Sequence, residues 1–216
     1  MTDPEPEPDG GAQGTSEEGG RRSVETNLFL TVSGPPGCGA TTVCEALSAA
    51  MDCGYVSGGE IFRELAEERG MSLTQFVAEA DTSEEIDRAL DRRLRTIAEK
   101  WGAANKAFIL ESRLAGWIAG NRADLRIWLD APEEVRVART RDREEMEAEM
   151  RVREVLEAGR YEHEYGIDIS DRSFYDLSIN TARWDPEGVV DLVLTAVERY
   201  DAGADEGSFP TRDIEL

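Results

Sequence analysis

The sequence predicts an α/β protein, a parallel sheet covered by helices on both faces, from three features. Short apolar, β-branched runs alternate with amphipathic helical stretches along most of the chain, as in repeated strand–helix–strand units. The first such run, Leu28-Phe29-Leu30-Thr31-Val32, leads straight into a turn, Ser33-Gly34-Pro35-Pro36-Gly37-Cys38-Gly39-Ala40-Thr41-Thr42. The helix former over 42–51 then keeps Val43, Leu47 and Ala50 on one side. Strand, glycine-rich turn and helix in that order are the context a phosphate-binding loop requires.

The remaining elements follow in chain order. Tyr55-Val56-Ser57 is a short second strand, and a helix over 60–68 is closed by Gly70. Ser72 and Gln75 have the spacing of a capping box, in which each side chain satisfies a free amide at a helix start. Thr82 and Glu85 repeat that spacing before a long helix to Trp101, whose buried stripe is Ile86, Leu90, Leu94, Ile97 and Trp101. Gly102 is expected to end it. Strands follow over 107–110, 125–129 and 175–179, five in all. Asp185 as N-cap and Pro186 at the first position announce the last helix, with Val189, Leu192, Val193 and Val197 as its core face. Residues 1–25 are acidic and almost without apolar side chains, so a disordered tail is expected there. Residues 202–216 read as a second loose tail, leaving one domain over 26–201.

Composition narrows the class. The chain of 216 residues carries 24 Lys and Arg against 46 Asp and Glu, a formal net charge of -22. Such a surface repels nucleic-acid backbones and anionic lipid, so neither partner is expected. Lys100 and Lys106 are its only lysines. Acidic excess with scarce lysine suits a salt-rich interior, where dense salt screens self-repulsion. Cys38, Cys44 and Cys53 are too few and too unevenly spaced for a disulfide framework or a zinc site. No apolar run approaches the roughly 20 residues of a membrane span. With an acidic N-terminal stretch unlike a secretory signal, a cytoplasmic protein is expected.

The loop carries the chemistry. Gly34, Pro35, Pro36, Gly37, Cys38, Gly39, Ala40, Thr41 and Thr42 form the expected cradle, whose amides and helix dipole favour phosphate. Thr41 stands where the motif needs a hydroxyl for Mg²⁺, but the motif's lysine is Ala40. Losing one preorganised donor costs about 10²–10³ in rate, which an enzyme survives if another cation compensates. Residues 133–165 hold Arg136, Arg139, Arg141, Arg143, Arg151, Arg153 and Arg160 with few apolar positions. Such a segment is either a solvated helix pair laced with ion pairs or an arginine lid that closes over transferring phosphate. The lone histidine, His163, falls in a polar helix and is expected at the surface.

Five further blocks carry a resemblance: Val56-Ser57-Gly58-Gly59-Glu60-Ile61-Phe62-Arg63, Leu110-Glu111-Ser112-Arg113-Leu114-Ala115-Gly116-Trp117, Arg160-Tyr161, Tyr165-Gly166-Ile167-Asp168 and Tyr175-Asp176-Leu177-Ser178-Ile179-Asn180-Thr181. With the loop, these resemble the archaeal-type cytidylate kinases of the nucleoside monophosphate kinase group over about residues 27–199. The resemblance implies a P-loop nucleoside monophosphate kinase fold: a five-stranded parallel sheet with a monophosphate-binding helical insertion and an arginine-rich helical lid. It implies ATP and Mg²⁺ as cofactors, CMP and dCMP as acceptors, and a monomer. In that archaeal branch the loop lysine is not invariant, so Ala40 is compatible with it.

The residue roles follow from the resemblance. Arg63, just after Ser57 and Gly58, resembles the arginine that grips the acceptor phosphate. Arg113 follows the third strand at its carboxyl end, where open α/β sheets bind ligands. Arg139 and Arg143 are candidate lid cations. Arg153, Glu157 and Arg160 fall on one helical face, and that spacing resembles a cytosine-reading segment, in which a carboxylate accepts from the exocyclic amine; an ordinary ion-paired face would look the same. Trp184 either contacts the adenine or packs under the last helix. Cys38 is either a thiol activated by helix amides or a small filler. The rival readings are a kinase for AMP or UMP and a nucleotide-binding regulator that lost turnover with its lysine.

Overall fold

In a computed structural model of the chain, the described residues are 22–80, 83–140, 158–211 and 214. Strands β1 (Phe29–Ser33), β2 (Gly54–Ser57), β3 (Phe108–Glu111), β4 (Leu125–Asp130) and β5 (Leu177–Asn180) form one parallel sheet in the order β2-β3-β1-β4-β5. The helices are α1 (Ala40–Met51), α2 (Gly58–Glu68), α3 (Leu73–Ala80), α4 (Glu84–Gly102), α5 (Ala115–Ala119), α6 (Glu133–Thr140), α7, described over 158–165, and α8 (Pro186–Arg199). The expected five-stranded α/β architecture is the one observed.

Period-two alternation builds both cores. Leu30, Val32, Ile109, Ile127 and Leu129 face α1 and α8, whereas Phe29, Phe108, Leu110 and Trp128 face α2, α4 and α5. Central strands covered on both faces read as largely apolar runs, with Thr31 in β1 and Arg126 in β4 as buried polar exceptions. Because β3 and β4 flank β1 on opposite sides, the connections after β1 diverge. The crevice at the carboxyl ends of these strands is where such sheets bind ligands.

Local signals held at several ends. Ser72 and Gln75 form the reciprocal box, with Ser72 N donating to Gln75 Oε1 (3.0 Å) and Gln75 N to Ser72 Oγ (3.3 Å). Asp185 caps α8, accepting from Gly188 N at 2.6 Å. Others shifted. Thr82 lies outside the described residues, and α4 takes Ser83 as its N-cap without a side-chain bond. Gly102 is the last residue of α4, where a Cβ would meet Arg122 Cβ at 3.0 Å, and the left-handed residue follows at Asn105 (φ 50). Leu192 is exposed, and Leu194 joins Val189, Val193 and Val197 in the core instead. The fifth strand starts at Leu177, two residues late, and Tyr175 turns into the core instead.

Both tails proved shorter than expected. Arg22 reaches Asp191 O at 3.1 Å and pairs with Glu198, and Val24 is buried with its amide on Ala50 O at 2.9 Å. The packed chain therefore begins at least by residue 22. At the other end Ile214 is buried in the core, and its carbonyl accepts from Arg95 at 3.1 Å. Phe209 O accepts from the guanidinium of Arg126 at 3.0 Å. Phe209 and Ile214 thus tie this end of the chain to β4 and α4, and the Phe209 carbonyl gives the fully buried Arg126 a partner.

Between α4 and α7 lies a buried charged cluster. Asp91, on the stripe of α4, accepts from Tyr165 Oη at 2.9 Å, while Arg160 of α7 pairs with Asp87. Burial pushes the Asp91 carboxyl up to about 6, against the opposing pull of Tyr165 and Arg160; Asp87 and Glu164 add to the rise. The fold therefore holds a proton there that the unfolded chain releases near pH 4. That contribution is fully present below pH 4 and is lost as pH rises through 6. Asp91→Asn, which keeps an acceptor for Tyr165, is expected to be the more stable protein at pH 7 by about 1–3 kcal/mol. The advantage should vanish at pH 4 in urea unfolding at fixed salt.

Candidate functional site

The glycine turn between β1 and α1 is shaped by contacts that leave no room for side chains. Gly37 (φ 77) and Gly39 (φ 91) hold left-handed backbone that favours glycine. A Cβ on Gly37 would come within 2.6 Å of Arg136 O, and one on Gly34 within 2.2 Å of Leu129 O. The loop is therefore pressed against the end of β4 and the backbone of α6. Gly39, as N-cap of α1, brings no side-chain oxygen to the first amides of the helix, so these amides suit an anionic ligand.

A cleft of about 550 Å³ opens over this loop. Gly34, Pro35, Pro36, Gly37, Cys38, Gly39, Ala40, Thr41 and Thr42 all line it, joined by Arg63, Arg113 and Arg139. Three guanidinium groups from three elements thus share one cavity with the loop amides. Arg63 lies in the second turn of α2, its Nη1 3.9 Å from where a Cβ on Gly59 would sit. Arg139 bonds Thr181 Oγ1 (2.9 Å) and Thr181 O (3.2 Å). Arg136 is buried instead, donating to Ala131 O and Pro36 O, each at 3.1 Å. The start of the expected lid, α6, is thereby part of the loop's foundation.

Two further residues line the cleft. Glu111 ends β3 and accepts from Tyr55 Oη at 2.7 Å. Burial raises its pKa, and bonds from Tyr55 and Ser57 draw it back. Thr181, at the end of β5, is the other. Both stood inside the quoted blocks; an acidic residue closing an otherwise apolar strand was the signal for Glu111.

Other expectations are placed differently. Ser57 and Gly58 do not line the cleft: Ser57 caps α2 by accepting from Gly59 N at 3.2 Å, and a Cβ on Gly58 would meet Ser112 Cβ at 2.9 Å. Arg160 does not line it either; it faces Asp87 and the ring of Tyr161, 4.6 Å from its Cζ. Arg143, Arg153 and Glu157 lie outside the described residues. Cys38 is not activated, because burial pushes its thiol up to about 11 and outweighs the nearby amide of Ala40. It fills space under Gly34. Trp184 lines the cleft at 51% exposure, with its ring beside Gly188 in the first turn of α8. His163 is exposed, as expected.

Comparison with known proteins gives a consistent picture. A family described as AAA domain matches residues 30–163, more than half of the chain. A cytidylate kinase of Haloquadratum walsbyi is 49% identical over 192 residues, spanning 87% of this chain and 98% of its own. A cytidylate kinase of Pyrococcus furiosus is 43% identical with 87% and 97% covered. Among solved structures, a shikimate kinase from Bacteroides thetaiotaomicron superposes with a TM-score of 0.55 at 15% identity, covering 79% of this chain and 98% of that one. At that identity it speaks for the fold alone.

Proposed function

The chain belongs to the cytidylate kinase family, and on that premise we propose that it transfers the γ-phosphoryl group of ATP to CMP, and to dCMP with it. One observation of the cleft supports turnover over mere binding: Arg63 and Arg113 stand in the same cavity as the loop, where a second, acceptor phosphate is served. A protein that only sensed ATP has no use for them.

The reaction asks mainly for positioning and charge. The loop amides hold the β- and γ-phosphates, and Arg63 and Arg113 hold the acceptor phosphate. An oxygen of that phosphate forms the new bond to the γ-phosphorus as the bond to the β–γ bridging oxygen breaks, leaving ADP. The acceptor is already anionic, so no general base is needed. Planar guanidinium forks hold two phosphate oxygens each and spread the charge of the transferring group. Around Ala40 that charge comes from Arg113 and Arg139 in place of the loop lysine.

Thr41 and Glu111 offer hydroxyl and carboxylate oxygens to the cleft, the hard donors Mg²⁺ prefers. When bound there, Mg²⁺ would neutralise triphosphate charge. The protein works as a cytoplasmic monomer in this reading, and its formal net charge of -22 suits a salt-rich interior.

The test is ADP release from Mg-ATP with CMP, dCMP, UMP, AMP and GMP at low and molar KCl. CMP and dCMP should exceed the others, most strongly in high salt. Preference for another base would leave the fold and remove the acceptor assignment; a folded, ATP-binding protein without turnover would favour the regulator.

A further inference from the structure

Thr181 joins the pieces of the cleft that the chain keeps furthest apart. It is 4% exposed and opens the short turn Thr181–Arg183 after β5. Its hydroxyl lies 2.8 Å from Cys38 O in the phosphate loop and 3.1 Å from Asp130 O at the end of β4. The same oxygen receives Nη1 of Arg139 at 2.9 Å, and the Thr181 carbonyl receives Nη2 at 3.2 Å. A hydroxyl has one proton to give and two lone pairs to offer. Here the proton goes to a carbonyl of the loop or of β4, and a lone pair takes the guanidinium. One small side chain therefore ties α6 to the loop.

We propose that Thr181 is a positioning residue for the donor nucleotide: it holds Arg139 against a phosphate loop whose own lysine position is Ala40. Arg139 leans only weakly on the loop itself, at 3.4 Å from Gly37 O and 3.5 Å from Cys38 O. Its two short bonds are both to Thr181. Without the hydroxyl, an exposed arginine on a short helix keeps its charge but loses its direction. The buried carbonyl of Cys38, between two glycines of the cradle, loses a donor at the same time. Both losses fall on the triphosphate side of the cleft and leave Arg63 untouched. The inference rests on the kinase reading only in naming ATP as the ligand.

The experiment uses the full chain and reads Mg-ATP affinity by calorimetric titration without acceptor, alongside KM for ATP and for CMP. Thr181→Val, nearly the same shape, should weaken ATP binding about ten-fold, the size of a lost hydrogen bond to a charged group. It should move the CMP KM by less than about two-fold, because these sites share no partner. Thr181→Ser should restore binding. Arg139→Gln, at an exposed position, should show a loss of similar size, and adding Thr181→Val to it should cost little more. The proposal is overturned if Thr181→Val binds ATP like the parent, if serine fails to rescue, or if the two losses add. Parent protein that binds ATP but phosphorylates no monophosphate would sink the kinase reading, while the binding series still decides the role of Thr181.

Discussion

Arg113→Ala is expected to lower kcat/KM for CMP by about 10²–10³, the effect of removing one preorganised charge from a transition state. The magnitude follows from how rigidly the side chain is delivered. Ser112 N bonds Val32 O at 3.2 Å, continuing the pairing of β3 with β1 up to the residue before it. Leu114, the residue after it, is buried at 1% exposure, and α5 beyond is wholly buried. The backbone at Arg113 is therefore fixed by its neighbours on both sides, and the residue lines the cleft. Arg113→Lys should recover only part of the loss, since an ammonium lacks the planar fork. Arg63→Ala should act differently, raising the CMP KM more than it lowers kcat, on the proposed role of Arg63 as the grip on the acceptor phosphate. Steady-state kinetics with each substrate varied in turn separate the two; unchanged kinetics for either variant would remove that arginine from the site.

Deleting residues 209–216 is expected to destabilise the fold by about 3 kcal/mol, the largest stability effect we anticipate. Ile214 contributes about 1.5–3 kcal/mol if its burial follows ordinary apolar transfer. The second loss is at Arg126, which is fully buried in β4. Its guanidinium lies over the Phe174 ring at 5.5 Å, pairs loosely with Asp176 at 3.6 Å and donates to Phe209 O. Removing the segment takes away that carbonyl, and a buried charge stripped of a partner costs several kcal/mol before water re-enters. Freed chain entropy in the last residues returns part of this. Urea unfolding at fixed KCl reads the difference. A midpoint equal to that of the full chain would show that the segment adds nothing to stability.

The loop, Arg63 and Arg113 were legible in the sequence because each is a local feature. A strand, two left-handed glycines and a helix start are short-range features, and Arg63 and Arg113 each follow their own strand within a few residues. Glu111 was passed over because a carboxylate at a strand end looks like an ordinary solvent-facing residue until β1 and β2 are laid on either side of β3. Ser57 was given to the substrate although an N-cap serine is its simpler use. Arg136 and Arg139 were read as one mobile set. Three positions apart on a short helix, one is buried under the loop and the other lies at the cleft, a distinction that depends on what α6 rests against.

Residue order by itself therefore determined the alternating elements, most of their caps, the phosphate loop and the absence of its lysine, since each depends on backbone preference and apolar spacing within a few residues. Tertiary structure alone decided that Arg136 is buried under the loop while Arg139 lines the cleft, where the chain ends dock and what bonds Arg139. The bond between Thr181 and Cys38 joins residues 143 positions apart. Only the strand order β2-β3-β1-β4-β5 brings such distant groups to one crevice, and no local preference in the chain encodes that neighbourhood.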